Sequence, residues 1–429
     1  GDRGRGSRGA AAAHLIVQAW RRLAPRGRIV GVFGLLAGLA GVVFTQRDLF
    51  WLGAFAFAVV IGALLMVSWP VKGLRHERRL AVTSVPVGTE FGVWLTLTSS
   101  GGGLPRMLHF EDVVPPSMGI RPRFALSGGI PSDGYRVGYR LTGAQRGRFR
   151  IGPLLVRSLD PFGLARNDMA FVTTTEIAVT PKIYELGGLR AGSSGSSAEA
   201  RSARAGLVGQ DDVLVREYRR GDDVRRVHWR STARAGELMV RREEQSWQPT
   251  TRLLVDNRRC AHVGGGPDSS FEWAVSAAAS AGLALLGAGS ILELADADGL
   301  SLSPDSDRSV RSQQLLYELT DITLTSAESL AAGLFAGGEN RLPSSSVLAV
   351  LGQLTDADLA TLIEATPRSG SAHALLLDVQ SFAGGSSRSA QARYAVELAN
   401  RGWMVTLVTG STTVPQAWTA LHEATEVLA

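Results

Sequence analysis

The sequence predicts a multi-domain membrane protein with a transmembrane helical hairpin, an antiparallel β-sandwich and an α/β doubly wound domain, in that order. Three observations predict this fold class. Two uncharged apolar runs lie near the start, about a hundred residues of short alternating runs follow, and aliphatic strands alternate with helices to the end. The 429 residues also exceed what one hydrophobic core normally organises.

Changes in composition along the chain predict the domain boundaries. They delimit a basic tail at 1–28, the hairpin at 29–71, the β-sandwich at 72–184, a Gly/Ser-rich linker at 185–206, and a charged segment with the α/β domain at 207–429. Cys260 is the only cysteine, so no disulfide can form within one chain. This fits a reducing, cytoplasmic compartment.

The hairpin prediction depends on two runs without charge. They extend from Ile29 to Phe44 and from Leu49 to Trp69. The second is long enough to cross a bilayer, and the first needs its flanks to do so. A signal-peptide core is the alternative for the first run. No small-residue cleavage site follows it and a second run comes at once, which favours a helical hairpin.

Positive charge on both sides of the hairpin predicts its orientation. The flanking cations are Arg21, Arg22, Arg26 and Arg28 before it and Lys72, Arg75, Arg78 and Arg79 after it. The only charged residues in the turn between the runs are Arg47 and Asp48. Positive flanks stay inside, so we expect a multi-pass protein of the cell membrane with both termini cytoplasmic.

The net charge of +6 comes from these flanks, and the chain beyond Arg79 is mildly acidic. The partner predicted by this distribution is an anionic membrane surface and not a nucleic acid. A solvated, disordered tail is an equally good interpretation of the arginines in the first nine residues.

The β-sandwich is predicted by runs such as FGVWLTLT and EIAVTP, which are separated by Gly- and Pro-rich turns. One of these turns is Asp160-Pro161-Phe162-Gly163, in which Phe162 is available for a hydrophobic contact.

The C-terminal α/β alternation predicts a parallel sheet with any ligand chemistry at the carboxyl ends of the strands. No G-x-G-x-x-G opens its first helix, and Lys72 and Lys182, the only lysines, lie outside it, which excludes a P-loop. A G-x-S-x-G elbow is also missing. The sequence therefore predicts no cofactor.

The first strand of this domain ends in LLVDNRRC, with Asp256 at its tip. Domains of the von Willebrand factor A type carry D-x-S-x-S here and bind Mg²⁺ with it. Arg258 and Cys260 occupy the two serine positions. A guanidinium brings positive charge and a thiol is a soft ligand, so we expect a degenerate site in which Arg258 neutralises Asp256.

Residues 216–243, REYRRGDDVRRVHWRSTARAGELMVRRE, form a segment dense in arginine, acids and aromatics that we name the charged block. The hairpin and the sandwich segment RGRFRIGPLLVRSLDPFGL precede this block, and LLVD follows it. In this order the chain resembles the bacterial family called domain of unknown function fifty-eight. The matching positions are Tyr218, Gly221, Asp222, Asp223, Arg225, Trp229, Ala233, Arg234, Gly236 and Glu237. The resemblance implies a membrane hairpin, a von Willebrand factor A-like domain and a MoxR-type AAA+ ATPase as partner.

Two interpretations of the charged block remain open. In the first it is a structural clasp, in which Trp229 is a buried anchor and Asp222 or Asp223 pairs with an arginine such as Arg225 or Arg234. In the second it is a docking surface, on which Arg219 and Arg220 beside the turn at Gly221 contact a partner. The residues that serve either role are Tyr218, Arg219, Arg220, Gly221, Asp222, Asp223, Arg225, Trp229, Arg234 and Glu237.

Three classes of function follow. We expect a membrane-anchored, non-enzymatic scaffold or adaptor with a cytoplasmic interaction domain. A metal-dependent binding protein would need Asp256 to recruit an ion beside Arg258. A hydrolase would need carboxylates such as Asp222, Asp223 or Glu237 for acid–base catalysis, but the sequence marks no nucleophile for it.

Overall fold

The computed structural model describes residues 17, 19–68, 73–100, 107–128, 130–131, 133–187, 215–218, 227, 229–241, 250–302, 308–335, 346–366, 371–385 and 390–427. The chain divides into two compact units, Gly1–Thr180 and Pro181–Ala429. Most of the predicted basic tail and linker lies outside the described residues.

The first unit opens with two apolar helices, α1 (Pro25–Val43) and α2 (Arg47–Ser68), which confirm the predicted helix pair. Glycines let them pack closely, because a Cβ on Gly53 would meet the Gly38 nitrogen at 2.3 Å and one on Gly41 would meet the Phe50 nitrogen at 2.5 Å. Small residues in such contacts are typical of membrane helices. The large apolar side chains point outward and are exposed, among them Phe33, Leu35, Leu36, Leu39, Trp51 and Phe55.

Three helices of the described chain are long and apolar enough to cross a membrane, and the third is α4 (Ser270–Gly287). Only 22% of the apolar window is buried in α1 and in α2, against 67% in α4. The apolar residues of α4, such as Ala278 and Leu286, pack in the core of the second unit. Burial within the protein therefore accounts for the apolar character of α4.

Residues 75–180 form a β-rich region, as the alternating runs predict. Its strands are β1 (Arg75–Leu80), β2 (Ser84–Pro86), β3 (Glu90–Thr98), β4 (Met107–Asp112), β5 (Arg123–Ser127), β6 (Tyr135–Thr142), β7 (Gly147–Ile151), β8 (Leu154–Leu159), β9 (Arg166–Phe171) and β10 (Thr175–Thr180). A short 3₁₀ helix spans Pro116–Met118.

These strands make three sheets, in the orders β1-β3-β6, β2-β10-β7 and β5-β4-β8-β9. Neighbours are antiparallel except β2 and β10. Alternate residues of β3 are buried, and Leu95 and Leu97 pack against Phe110 and Leu154 of the four-stranded sheet. The period of two places the apolar residues of each strand on one face. Residues of β3 enter one apolar cluster with the four-stranded sheet and another with the β2-β10-β7 sheet.

Arg78 is buried inside this region. Its guanidinium donates to Asp112 from Nε to Oδ2 at 2.9 Å and from Nη2 to Oδ1 at 2.6 Å, and the Tyr139 hydroxyl donates to the same carboxylate. Arg78 therefore does not contribute to a basic membrane-facing surface, in contrast to the expectation from sequence. Burial and the Asp112 charge raise the pKa of Tyr139, which keeps its hydroxyl a donor.

The second unit contains a two-stranded ribbon and an α/β domain. The ribbon pairs β11 (Val215–Glu217) with β12 (Met239–Arg241) around α3 (Trp229–Ala235). The remaining elements are β13 (Thr250–Val255), a 3₁₀ turn (Arg259–Ala261), α4, β14 (Ile291–Asp296), β15 (Gly299–Leu302), α5 (Arg308–Asp321), α6 (Ala331–Leu334), β16 (Ser346–Leu351), α7 (Asp356–Glu364), β17 (Ala372–Leu377), α8 (Val379–Phe382), α9 (Ala390–Asn400), β18 (Trp403–Val408) and α10 (Val414–Val427).

The large sheet has the strand order β15-β14-β13-β16-β17-β18, and only the edge strand β15 is antiparallel to its neighbour. Leu253 and Val255 enter one apolar cluster and Leu254 enters another, so both faces of the sheet are covered. The order reverses at β13, and in open α/β sheets ligands bind at such a point, beyond the carboxyl ends of the strands.

Residues 181–187 pack against the α/β domain of the second unit. The Tyr184 amide donates to the Ser280 hydroxyl at 3.0 Å, and the Trp418 indole donates to the Gly187 carbonyl at 2.9 Å. The second unit thus begins at Pro181, four residues before the predicted linker.

Candidate functional site

The carboxyl end of β13 carries a buried polar turn. Asp256, Asn257 and Arg258 follow the apolar strand directly, and all three are almost completely buried. The Asn257 side chain holds the neighbouring loops, accepting from the Ala297 amide at 2.9 Å and donating to the Thr323 carbonyl at 3.2 Å. The turn is therefore fixed on both sides, and its charged side chains point into the protein.

Arg258 folds back onto Asp256 as a two-bond ion pair. Nε donates to Oδ1 and Nη2 donates to Oδ2, each at 2.9 Å. The Arg258 amide also donates to Oδ1 at 3.1 Å, and the Gly352 amide donates to Oδ2 at 3.2 Å. Parallel bonds of this kind match the planar guanidinium to the carboxylate and fix both groups.

Asp358 is the second acid of this cluster, and sequence reasoning missed it. Nη1 of Arg258 donates to Asp358 Oδ1 at 2.6 Å and to the Glu328 carbonyl at 3.2 Å. The other oxygen of Asp358 accepts from the amide and hydroxyl of Thr355, which caps α7. The spacing Thr355-x-x-Asp358 is a capping-box signal and could have identified this residue.

Asp356, the first residue of α7, lies outside the cluster. Its side chain is 80% exposed and pairs with Arg393 and the Tyr394 hydroxyl. We name Asp256, Arg258 and Asp358 the strand-end triad.

The electrostatics of the strand-end triad favour the charged form of Arg258. Burial lowers the pKa of Arg258, but hydrogen bonds and charge from Asp256 and Asp358 outweigh this effect and hold the pKa above its usual value. Beside the triad, His262 shares a hydrogen bond of 2.6 Å with the Asp256 carbonyl. Since a carbonyl only accepts, Nε2 carries the hydrogen. Burial, together with Arg258, lowers the pKa of His262.

The hydrogen bonds occupy the acceptor sites of Asp256. Each Asp256 oxygen accepts two hydrogen bonds, and a carboxylate offers about four acceptor positions in all. The carboxylate therefore has no free position for a metal ion or for accepting a proton from a substrate. Within the described ranges, no three His, Cys, Asp or Glu side chains are grouped as metal ligands.

Cys260 is exposed, in the 3₁₀ turn that follows the triad. It lines a cleft of about 310 Å³ together with Arg259 and residues 325–328. The two residues at the serine positions of the D-x-S-x-S motif therefore lie apart, because Arg258 points inward while Cys260 faces solvent.

The charged block is described in part. Arg219, Arg220, Gly221, Asp222, Asp223 and Arg225 lie outside the described residues. Tyr218 is on the ribbon, where its amide donates to the Leu238 carbonyl at 2.8 Å. Arg234 and Glu237 are exposed.

Trp229 begins α3 and is 67% exposed. The expectation of a buried Trp229 anchor is therefore wrong. Among the described side chains of the charged block, Val227 is the apolar one that is buried. A large exposed aromatic side chain, in a segment that also exposes Arg234, is a feature of contact surfaces.

Comparison with solved structures gives low similarity. The CARDB domain of a Pyrococcus furiosus protein is 18% identical, with 26% of this chain and 96% of that chain covered at a TM-score of 0.20. A cohesin module from Clostridium perfringens is 12% identical, with 25% and 97% covered at 0.19. The PKD domain of human SorCS2 is 12% identical, with 26% and 76% covered at 0.17. At these scores the likeness carries no conclusion about fold or function.

No curated protein matches the chain. A family model does match, over residues 214–369. This segment includes the whole charged block and the whole strand-end triad. Residues 214–369 are thus similar to the family described as Protein of unknown function DUF58.

Proposed function

We propose that the chain is a membrane-anchored, non-enzymatic adaptor whose cytoplasmic part docks a MoxR-type AAA+ ATPase through the charged block. The observation that carries the proposal is the exposed Trp229 in that block. In this proposal the β-rich region is a β-sandwich, and the α/β domain is von Willebrand factor A-like. The sheet order with one antiparallel edge strand supports the second assignment.

The membrane anchor is supported by α1 and α2. Their 19 and 22 residues give lengths of about 28 and 33 Å at 1.5 Å per residue, close to the thickness of a hydrocarbon core. Their glycines face each other and their large apolar residues face outward. Such a pair is suited to lipid.

A non-enzymatic role is supported by the strand-end triad. Arg258 engages both carboxylates at the place where an α/β sheet usually builds its ligand site. The same contacts count against a metal-dependent binding protein. Use of Asp256 or Asp358 as an acid, base or ligand would require breaking a buried ion pair.

Docking through the charged block is supported by its chemistry. Trp and Arg are the residues that most often dominate binding energy at protein interfaces, and Trp229, Arg234 and Glu237 are all exposed. The AAA+ class of the partner comes from the family resemblance.

Replacement of Trp229 by Ala tests the docking role. We expect capture of a MoxR-type ATPase from the same bacterium by the full chain in detergent to weaken about 30-fold, since an anchor at an interface contributes about 2 kcal/mol or more. Folding should change by less than about 0.5 kcal/mol, because the side chain is exposed. Titration of the purified ATPase and hydrogen exchange measure the two quantities.

The matched control is Trp94→Ala, which removes another exposed tryptophan, on β3 of the first unit. Capture should not change in this variant. Full capture by Trp229→Ala would disprove docking through this residue. A large loss of stability in Trp229→Ala would support the interpretation of the charged block as a structural clasp.

The topology has its own test, which uses the single cysteine. In a Cys260→Ala background, a cysteine at Thr89 should resist a membrane-impermeant thiol reagent in intact cells and react after permeabilisation, because the positive flanks keep the body of the chain inside. A cysteine at Gln46, between α1 and α2, should react in intact cells. Labelling at Thr89 in intact cells would refute the orientation.

A further inference from the structure

The turn between β8 and β9, residues 160–163, holds Phe162 outward. The buried Asp160 carboxylate accepts from the Phe162 amide at 2.9 Å and from the Ala165 amide at 2.6 Å. Gly163 closes the turn with a φ of +66°, which favours glycine, and its amide donates to the Asp160 carbonyl at 3.0 Å. Phe162 is nevertheless 71% exposed. The hydrogen bonds of the turn thus fix its backbone, while the Phe162 side chain contacts little of the protein.

This turn lies against the start of α1. The Ala24 amide donates to the Leu164 carbonyl at 2.8 Å, and Leu23 bridges to Ala165. A Cβ on Gly27 would come within 2.0 Å of the Leu164 carbonyl oxygen, so the glycine permits direct backbone packing. Leu164 and Ala165 share an apolar cluster with Leu23, which precedes α1, and with Val60, Ala63 and Val67 of α2, and Val30 of α1 packs against this cluster.

The residues at this end of the hairpin are of the types found at a membrane interface. Arg22 donates to the Ser68 hydroxyl at the end of α2 at 2.8 Å, and the Arg28 guanidinium lies 5.5 Å from the centre of the Trp20 ring. Arginine and tryptophan are typical of the headgroup region. Since α1 is about 28 Å long, its first turn must lie close to the edge of any hydrocarbon core that it crosses.

We infer that Phe162 inserts into the boundary between the headgroups and acyl chains of the membrane that α1 and α2 cross. The ligand of this surface is the lipid of that membrane. The Asp160–Gly163 turn then becomes a second point of attachment, and with the hairpin it sets the angle at which the β-rich region stands on the bilayer. The inference depends on the proposed membrane anchor, and the experiment separates the two.

The experiment uses nitroxide labels on single cysteines in a Cys260→Ser background, with the full chain reconstituted in phosphatidylethanolamine–phosphatidylglycerol vesicles. Collision with oxygen and with a water-soluble nickel chelate reports the depth of each label. Three sites are compared: Phe162, Leu36 on the outer face of α1, and Val172, an apolar residue that is 83% exposed beyond the opposite end of β9.

We expect nickel accessibility at Phe162 to be at least about fivefold lower than at Val172, and accessibility at Leu36 to be lower still. Equal accessibility at Phe162 and Val172 with a protected Leu36 would overturn the inference and leave the membrane anchor standing. An accessible Leu36 would overturn both.

A second set of variants keeps the label away from position 162. A label at the exposed Pro161 should become at least about threefold more accessible to nickel in Phe162→Asp and should be unchanged in Phe162→Leu. An unchanged Phe162→Asp would show that the side chain does not hold the turn in lipid.

Discussion

Replacement of Asp256 by Ala is expected to lower the free energy of unfolding of the α/β domain by about 3–5 kcal/mol, the cost of leaving one partner of a buried ion pair without the other. Arg258 would lose both bonds to this carboxylate and would keep only Asp358 and the Glu328 carbonyl as partners. The guanidinium is 1% exposed, so water cannot replace what is lost. Hydrogen exchange of the slowest β13 amides in the full chain measures the change.

Asp356→Ala is the matched control, because it removes the same type of side chain from a nearby ion pair that is largely exposed. Exposed pairs contribute less than about 1 kcal/mol, so exchange in β13 should hardly change. Equal protection in Asp256→Ala and the wild type would mean that Arg258 finds solvent when its partner is removed, and the triad would not be structural.

The second large effect is expected for Asp112→Ala in the β-rich region. The variant leaves the Arg78 guanidinium and the Tyr139 hydroxyl without their shared acceptor, and both arginine and aspartate are almost fully buried. We expect a loss of about 3–5 kcal/mol for the same reason as in the triad. The protection of amides in β3 and β4 gives the value.

Asp168→Ala serves as its control. Asp168 accepts from Arg157 at 2.7 Å, but both side chains are about half exposed. A loss below about 1 kcal/mol is expected. If the two variants were equally stable, burial of the Arg78–Asp112 pair would not be what stabilises this region.

Features set by neighbouring residues could be predicted from the sequence. The uncharged runs predict α1 and α2, and the Asp160-Pro161-Phe162-Gly163 segment predicts its turn, because backbone preferences and hydropathy act over a few residues. The strand-end position of Asp256 also followed, since a buried strand of aliphatic residues must end where polar residues begin.

Features that depend on distant partners could not be predicted. Arg78 and Arg79 are adjacent and of the same type, yet one is buried on Asp112 and the other pairs with exposed Glu77. A strand turns successive side chains to opposite faces, but which face is covered depends on residues more than thirty positions away. Asp358 meets Arg258 from a hundred positions along the chain, and a composition rich in aromatics did not reveal that Trp229 faces solvent.

In the strand-end triad the positive charge that faces the carboxylates is the Arg258 guanidinium, which is covalently part of the chain. A bound Mg²⁺ exchanges with the surrounding solution, so a site that depends on it can be emptied by a chelator and gains stability only as the ion concentration rises. A guanidinium attached to the chain at Arg258 cannot dissociate, and it remains charged over the whole physiological range of pH. Arg258 therefore pairs with the Asp256 and Asp358 carboxylates as soon as the chain folds, and this pairing requires no ion from solution.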